Sequence, residues 1–231
     1  MREIVLDTET TGLEPESGHR IVEIGCVEIE NLLPTGRTFH VYLNPERDMP
    51  AEAEAVHGLS ADFLADKPRF REIVDDFLDF IGEAPLVIHN AAFDMRFLNA
   101  ELVRAGREPL PPSRAVDTLA LARTRFPGAN NTLDALCTRF GIDLAAREKH
   151  GALLDSELLA AVYLHLKGGL QPGLELAANA ALPGRGEGID PEWTPPPRPR
   201  PLPPRLTEQE RRAHEDMVRS LGDKALWRRF G

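Results

Sequence analysis

The chain has 231 residues, 27 basic against 37 acidic, for a net charge of −10, enough for one catalytic domain of roughly 100–200 residues and an appendage. Its two cysteines, Cys26 and Cys137, exclude a disulfide framework and a four-thiolate zinc site. No apolar run approaches the ~20 residues that span a bilayer, and the opening Met1–Asp7 lacks a signal-peptide core; the expectation is a soluble, cytoplasmic protein with no membrane partner.

In chain order, β-branched or alternating runs bounded by Gly and Pro predict strands at Glu3–Asp7, Ile21–Ile29 and Thr38–Leu43. Phe70, Ile73, Val74, Phe77, Leu78 and Ile81 recur at intervals of three and four, the period of an amphipathic helix. Leu86–His89 reads as a short buried strand that leads into a helix running from Ala92 to Ala105. A last strand is expected at Ala115–Leu119, then helices near 119–125, 132–139 and 151–167. Hairpin-joined strands followed by strand–helix units make this an α/β fold, a mixed sheet flanked by helices.

Residues 181–204 hold nine of the 20 prolines, which forbids helix or central strand and predicts an extended polyproline-type linker. Thr207 and Glu210 then match a capping box, and His214, Met217, Val218 and Leu221 follow at helical spacing up to Gly222. Ala225, Leu226 and Trp227 add an apolar tip. A short helix on a proline tether buries little by itself, so this end reads as a docking segment for another protein, with a helix folded back on the parent domain as the alternative. The expected division is a domain at 1–170, a linker at 171–206 and a docking segment at 207–231.

The chemistry lies in the acids. Side chains two apart on a strand point the same way, so Asp7 and Glu9 converge while Thr8 turns aside. Two carboxylates there repel unless something positive lies between them; a solvated strand end is the plainer reading of this pair alone. Asp94 falls in the first turn of the helix after Leu86–His89, where an acid bound to the macrodipole is equally expected. Asp155 sits among Leu153, Leu154, Leu158 and Leu159, and an aspartate in such a stretch needs a partner or a metal. His150 joins Asp155 only if it lies in the loop before the helix, which Gly151 permits, since five helical positions would turn it about 140° away.

Together, D-x-E at Asp7 and Glu9, Asp94, and H-x4-D at His150 and Asp155 resemble the DEDDh branch of the DnaQ-like 3′–5′ exonucleases. The stretches IVLDTETTGL, HVYLNPER, VHGLS, LVIHNAAFD, FPGANNTLDALC and HGALLDSELLAAVYL are similar to the members of that branch that proofread for bacterial replicative polymerases, over about residues 1–168. The tail, with AHEDMV and LGDKALWRR, resembles their polymerase-binding end; its linker is richer in proline. The resemblance implies an RNase H-like exonuclease fold with a mixed five-stranded sheet.

It also implies metal-assisted phosphodiester hydrolysis with two divalent cations, Mg²⁺ or Mn²⁺, for which hard oxygen ligands are suited. By this likeness Asp7, Glu9 and Asp155 hold one ion, Asp7 and Asp94 the second, and His150 acts as general base. The backbone amides of Thr8 and Thr10, with Glu9, Leu13, His57 and Phe93, would form the wall around the terminal nucleotide of a single-stranded or frayed 3′ end of DNA. The acidic balance, which argues against a simple nucleic-acid coat, is compatible with carboxylates that bind cations. Residues 207–231 would dock the catalytic subunit of the polymerase, and 171–176 (Gln171 to Leu176) resemble peptides that bind the sliding clamp.

Overall fold

The structure, a computed structural model, describes residues 1–144, 150–169 and 207–221, and the chain divides into two units, Met1–Glu175 and Leu176–Gly231. The first unit is built on a five-stranded sheet: β1 (Arg2–Thr10), β2 (Ile21–Glu30), β3 (Leu33–Tyr42), β4 (Leu86–Ile88) and β5 (Ala115–Asp117), in the order β3-β2-β1-β4-β5. β1 to β3 form an antiparallel meander, while β4 and β5 run parallel to β1. The mixed sheet expected from the sequence is therefore present.

Around it lie α1 (Ala51–His57), α2 (Ala61–Leu64), α3 (Phe70–Ile81), α4 (Ala91–Arg104), α5 (Thr118–Arg125), α6 (Leu133–Phe140) and α7 (Ala152–Leu166). β1 is buried on both faces. Ile4 and Leu6 join a core with Phe70, Phe77 and Phe97 of α3 and α4, and Val5 joins Leu159 and Tyr163 of α7 on the other side. Strand alternation then puts Asp7 and Glu9 on the α7 face and Thr8 on the α4 face. A third cluster, with Ala122, Leu136 and Val162, ties α5 and α6 to α7.

Several boundaries differ from the sequence reading for local reasons. The strand expected at Ala115–Leu119 stops at Asp117, whose carboxylate accepts from the amides of Leu119 and Ala120 and so caps α5. β3 begins at Leu33, five residues earlier than expected, because Asn31 and Leu32 make a tight turn with both φ positive, at 51° and 70°. α1 and α2 have no counterpart among the elements the sequence predicts.

The second unit is described over α8 (Glu208–Leu221). Thr207 and Glu210 form both arms of the expected capping box: the Glu210 amide donates to Thr207 Oγ1 at 3.2 Å, and the Thr207 amide donates to Glu210 Oε2 at 2.8 Å. The polyproline linker, the 171–176 peptide and the 225–227 tip lie outside the described residues. Among the described residues, no helix is long and apolar enough to cross a membrane.

Candidate active site

The acids meet at the carboxyl end of β1. Asp7 and Glu9 come from the strand itself, opposite Gly25 and Glu23 of β2, and the pairing shifts register just after Glu9. Asp94 reaches in from the first turn of α4. It is 3% exposed, and its Oδ1 accepts from the Thr8 amide at 3.1 Å and from Thr8 Oγ1 at 2.7 Å. Those bonds draw it to the end of β1, and Asn90, the residue before the helix, takes up a left-handed conformation with φ 64° and ψ 53°.

Asp155 comes from α7 and is equally buried. Its position depends on Gly25. A Cβ there would lie 2.2 Å from the backbone of Ala152 and Leu153, so only glycine lets the start of α7 rest against β2. The Ser156 hydroxyl donates to the Gly25 carbonyl at 2.9 Å across that contact. His150 stands in the loop before α7, beside an extended Gly151 (φ −157°), with Nδ1 3.3 Å from Asp155 Oδ2. Ligand atoms of Glu9, His150 and Asp155 all lie within 4.8 Å of one another.

The electrostatics reflect this crowding. Burial pushes the Asp7 carboxyl well above the ordinary carboxylate range, and the charges of Asp94, Glu9, Asp155 and Glu23 add to the push. Asp94 is pushed up to about 7, chiefly by burial; the bonds from Thr8 work against the rise, and the Asp117 charge adds to it.

A cavity of about 650 Å³ opens beside these acids, and Thr8, Glu9, Thr10, Leu13, His57 and Phe93 all line it. Leu13 is 76% exposed and so presents its apolar side chain to the opening. Phe93 packs its ring 5.0 Å from Phe97. His57, at the end of α1, is buried and accepts from the Leu59 amide through Nδ1. The Thr8 amide, expected in that wall, donates to Asp94 Oδ1. The wall also contains residues the sequence reading did not single out: Val56 and Ala53 of α1, and His19, which bonds Thr11. The sequence of α1 carries little signal of a helix, because AEAEAVH has almost no apolar periodicity; the stretch VHGLS, with His57, is marked only by the family resemblance.

The family model for exonucleases matches residues 4–163. The chain is 56% identical over 179 residues to the DNA polymerase III subunit epsilon of Rickettsia felis, covering 76% of this chain and 78% of that one. It is 44% identical to the subunit of the same name from Salmonella typhimurium, over 98% of this chain and 97% of the relative. The chain belongs to the exonuclease family that includes these epsilon subunits. Among solved structures, exonuclease X in complex with 5′ overhanging duplex DNA is similar at 26% identity with a TM-score of 0.58, covering 71% of this chain and 90% of that one. The nuclease domain of 3′hExo, a DEDDh family member, shares the fold, with a TM-score of 0.62 at 21% identity over 72% of this chain and 92% of that one.

Family membership agrees with the chemistry of the donor set. Four carboxylates and an imidazole offer hard oxygen donors with no thiolate, the set that suits divalent cations. The raised Asp7 carboxyl points the same way: burial first, and then the charges of Asp94, Glu9 and Asp155, disfavour its ionised form, and a cation beside it would relieve both. The family's residues at this corner therefore fit divalent metal ions.

Proposed function

We propose that this chain is a metal-dependent 3′–5′ exodeoxyribonuclease that proofreads for a replicative DNA polymerase, with Asp7, Glu9, Asp94 and Asp155 as metal ligands and His150 as general base. The observation that carries this reading is the meeting of Glu9, His150 and Asp155 within 4.8 Å, on the same corner as Asp7 and Asp94 and beside a cavity that can take a nucleotide. Two divalent cations, Mg²⁺ or Mn²⁺, supply the positive charge that the phosphodiester and the attacking water require.

The chain's own residues do the rest. Asp155 faces His150 Nδ1, so that nitrogen carries the ring proton and Nε2 is left to accept one from water. The loop position of His150, about half exposed on its side chain, leaves the ring open to solvent protons between turnovers. Leu13, Val56 and Phe93 present apolar surface to a base and sugar, and Thr10 and His57 line the same wall. An unpaired terminal nucleotide is cheaper to extract than a paired one, which favours removal of mismatched ends.

Residues 207–231 dock the polymerase catalytic subunit; the match to the Salmonella epsilon subunit extends over this end as well as the nuclease domain. Residues 171–176 are a clamp-binding peptide. The deciding experiment is degradation of a 3′-mispaired DNA primer with Mg²⁺, with EDTA, and against the RNA counterpart. Mg²⁺-dependent shortening from the 3′ end of DNA is expected; cleavage that persists in EDTA, or is confined to RNA, overturns the reading. Deletion of residues 205–231 should leave the nuclease and remove co-purification with the polymerase subunit, and retained co-purification would place docking elsewhere.

A further inference from the structure

A second cavity, of about 530 Å³, opens on the same acids from another side. Asp7, His150 and Asp155 line it together with Arg123 and Asn130, and Leu119 and Leu133 add apolar surface. It shares no lining residue with the first cavity, so the acid corner separates the two. A substrate for removal of a terminal nucleotide has two sides of its scissile bond to place. If the nucleotide being removed fills the cavity of Leu13, His57 and Phe93, the remaining strand leaves along another path from the same carboxylates.

The second cavity has what the first lacks for meeting a phosphate: a guanidinium, Arg123, with side-chain amides beside it, although leucines line it too. α5 carries two neighbouring arginines with different roles: Arg125 is bound to the carbonyls of His165 and Leu166, while Arg123 faces the cavity. The 126–131 loop is braced by Asn131, 6% exposed, whose amide donates to the carbonyls of Phe126 and Ala129 and whose oxygen accepts from Arg139. That bracing presents the exposed Asn130, whose Oδ1 accepts from the Thr132 amide. Asn90 is exposed, in a left-handed conformation, and does not cap the helix it precedes. Strain of this kind at a non-glycine residue beside catalytic acids points to function.

We propose that this cavity holds the phosphodiester backbone of the strand immediately 5′ of the nucleotide being removed, with Arg123 meeting a phosphate and the amides of Asn90 and Asn130 as neutral donors. The inference rests on the exonuclease reading above and extends it to residues outside the acid set. Arg123 is a strand-positioning residue with no part in the chemical step, so its effect depends on whether the substrate has a strand to position.

The test compares two substrates on the full chain with Mg²⁺. The p-nitrophenyl ester of thymidine 5′-monophosphate contains one nucleotide and no phosphate beyond the scissile one, so it has no strand to place in the second cavity; a single-stranded oligothymidylate has one. Arg123→Gln is expected to lower the ratio of oligonucleotide to ester kcat/KM by about tenfold, mostly through KM. The slope of log(1/KM) for the oligonucleotide against log salt should lessen by about 0.7, the share of one single-strand phosphate contact. Arg123→Lys should keep most of the salt slope, and Asn130→Asp should lower the same ratio by repelling phosphate. Equal losses on both substrates, or a ratio and slope unchanged in Arg123→Gln, overturn the proposal. Failure of the unsubstituted chain to hydrolyse either substrate overturns the exonuclease reading and this inference with it.

Discussion

His150 and Asp155 are 3.3 Å apart, yet their substitutions should fail differently. His150→Ala removes a proton acceptor and should lower kcat by about 10²–10⁴-fold, the usual worth of general-base help, with metal affinity little changed. Asp155→Ala removes a buried ligand and the partner of the imidazole together, so single-turnover rates should fall to background and the cation requirement should rise. Parallel rate and metal titrations on the two variants check this; a His150→Ala variant at wild-type rate would remove the general-base role. At this scale much of the site was legible. Strand alternation was enough to pair Asp7 with Glu9, and the leucines around Asp155 marked a carboxylate in need of a partner. Asp94 was not decidable from its own position, since an acid in a first helical turn has a ready role at the helix dipole. Only the tertiary contact settles where it points: it bonds Thr8 across the sheet.

Among the elements, α7 shows how a fold positions an acid through a residue with no side chain. The Cβ that alanine would add at Gly25 meets backbone atoms of Ala152 and Leu153 at 2.2 Å, and backbone cannot swing aside as a flexible side chain can. Gly25→Ala should therefore cost about 1–3 kcal/mol or more through overpacking, and displace Asp155 from Asp7 and Glu9. Thermal melts by circular dichroism should show a loss of several degrees, and the nuclease rate should fall further than that destabilisation accounts for. Ser156→Ala, which only leaves the buried Gly25 carbonyl short of a donor, should cost about 1–3 kcal/mol with the site intact. A Gly25→Ala protein as stable and active as its parent would show that α7 does not depend on this contact. None of this could be read from the sequence, because a glycine inside the strand IVEIGCVEIE does not say which backbone comes to rest against it. The α3 helix, by contrast, was legible from six apolar positions, four of which are buried as expected. The end of β5 was not, because Asp117 serves both the strand and the cap of the next helix.

For the molecule as a whole, the acid corner makes stability depend on pH and on cations in a linked way. Asp94 is pushed up to about 7, against about 3.9 for an unfolded aspartate, and Asp7 moves in the same direction. A carboxyl with a raised folded pKa binds more protons in the native state than in the unfolded one. The metal-free protein should therefore lose stability as pH rises from about 4 to about 7, through these two groups. The cations the site is built for bind the deprotonated acids, so their stabilisation must grow over the same range. At a hundred times the dissociation constant, a ligand that binds only the native state adds about 2.7 kcal/mol, which for a domain of this size raises Tm by roughly 5–10 °C. Melting the EDTA-treated protein at pH 5 and pH 8, with and without Mg²⁺ or Mn²⁺, should show a large cation shift at pH 8 and a small one at pH 5. Asp94→Asn should flatten the metal-free pH dependence, because the amide keeps an acceptor for Thr8 but has no proton to release. Cation shifts of equal size at both pH values would mean that the ions bind elsewhere on this acidic chain, and the carboxylates of β1, α4 and α7 would then be a cluster without a shared charge to hold.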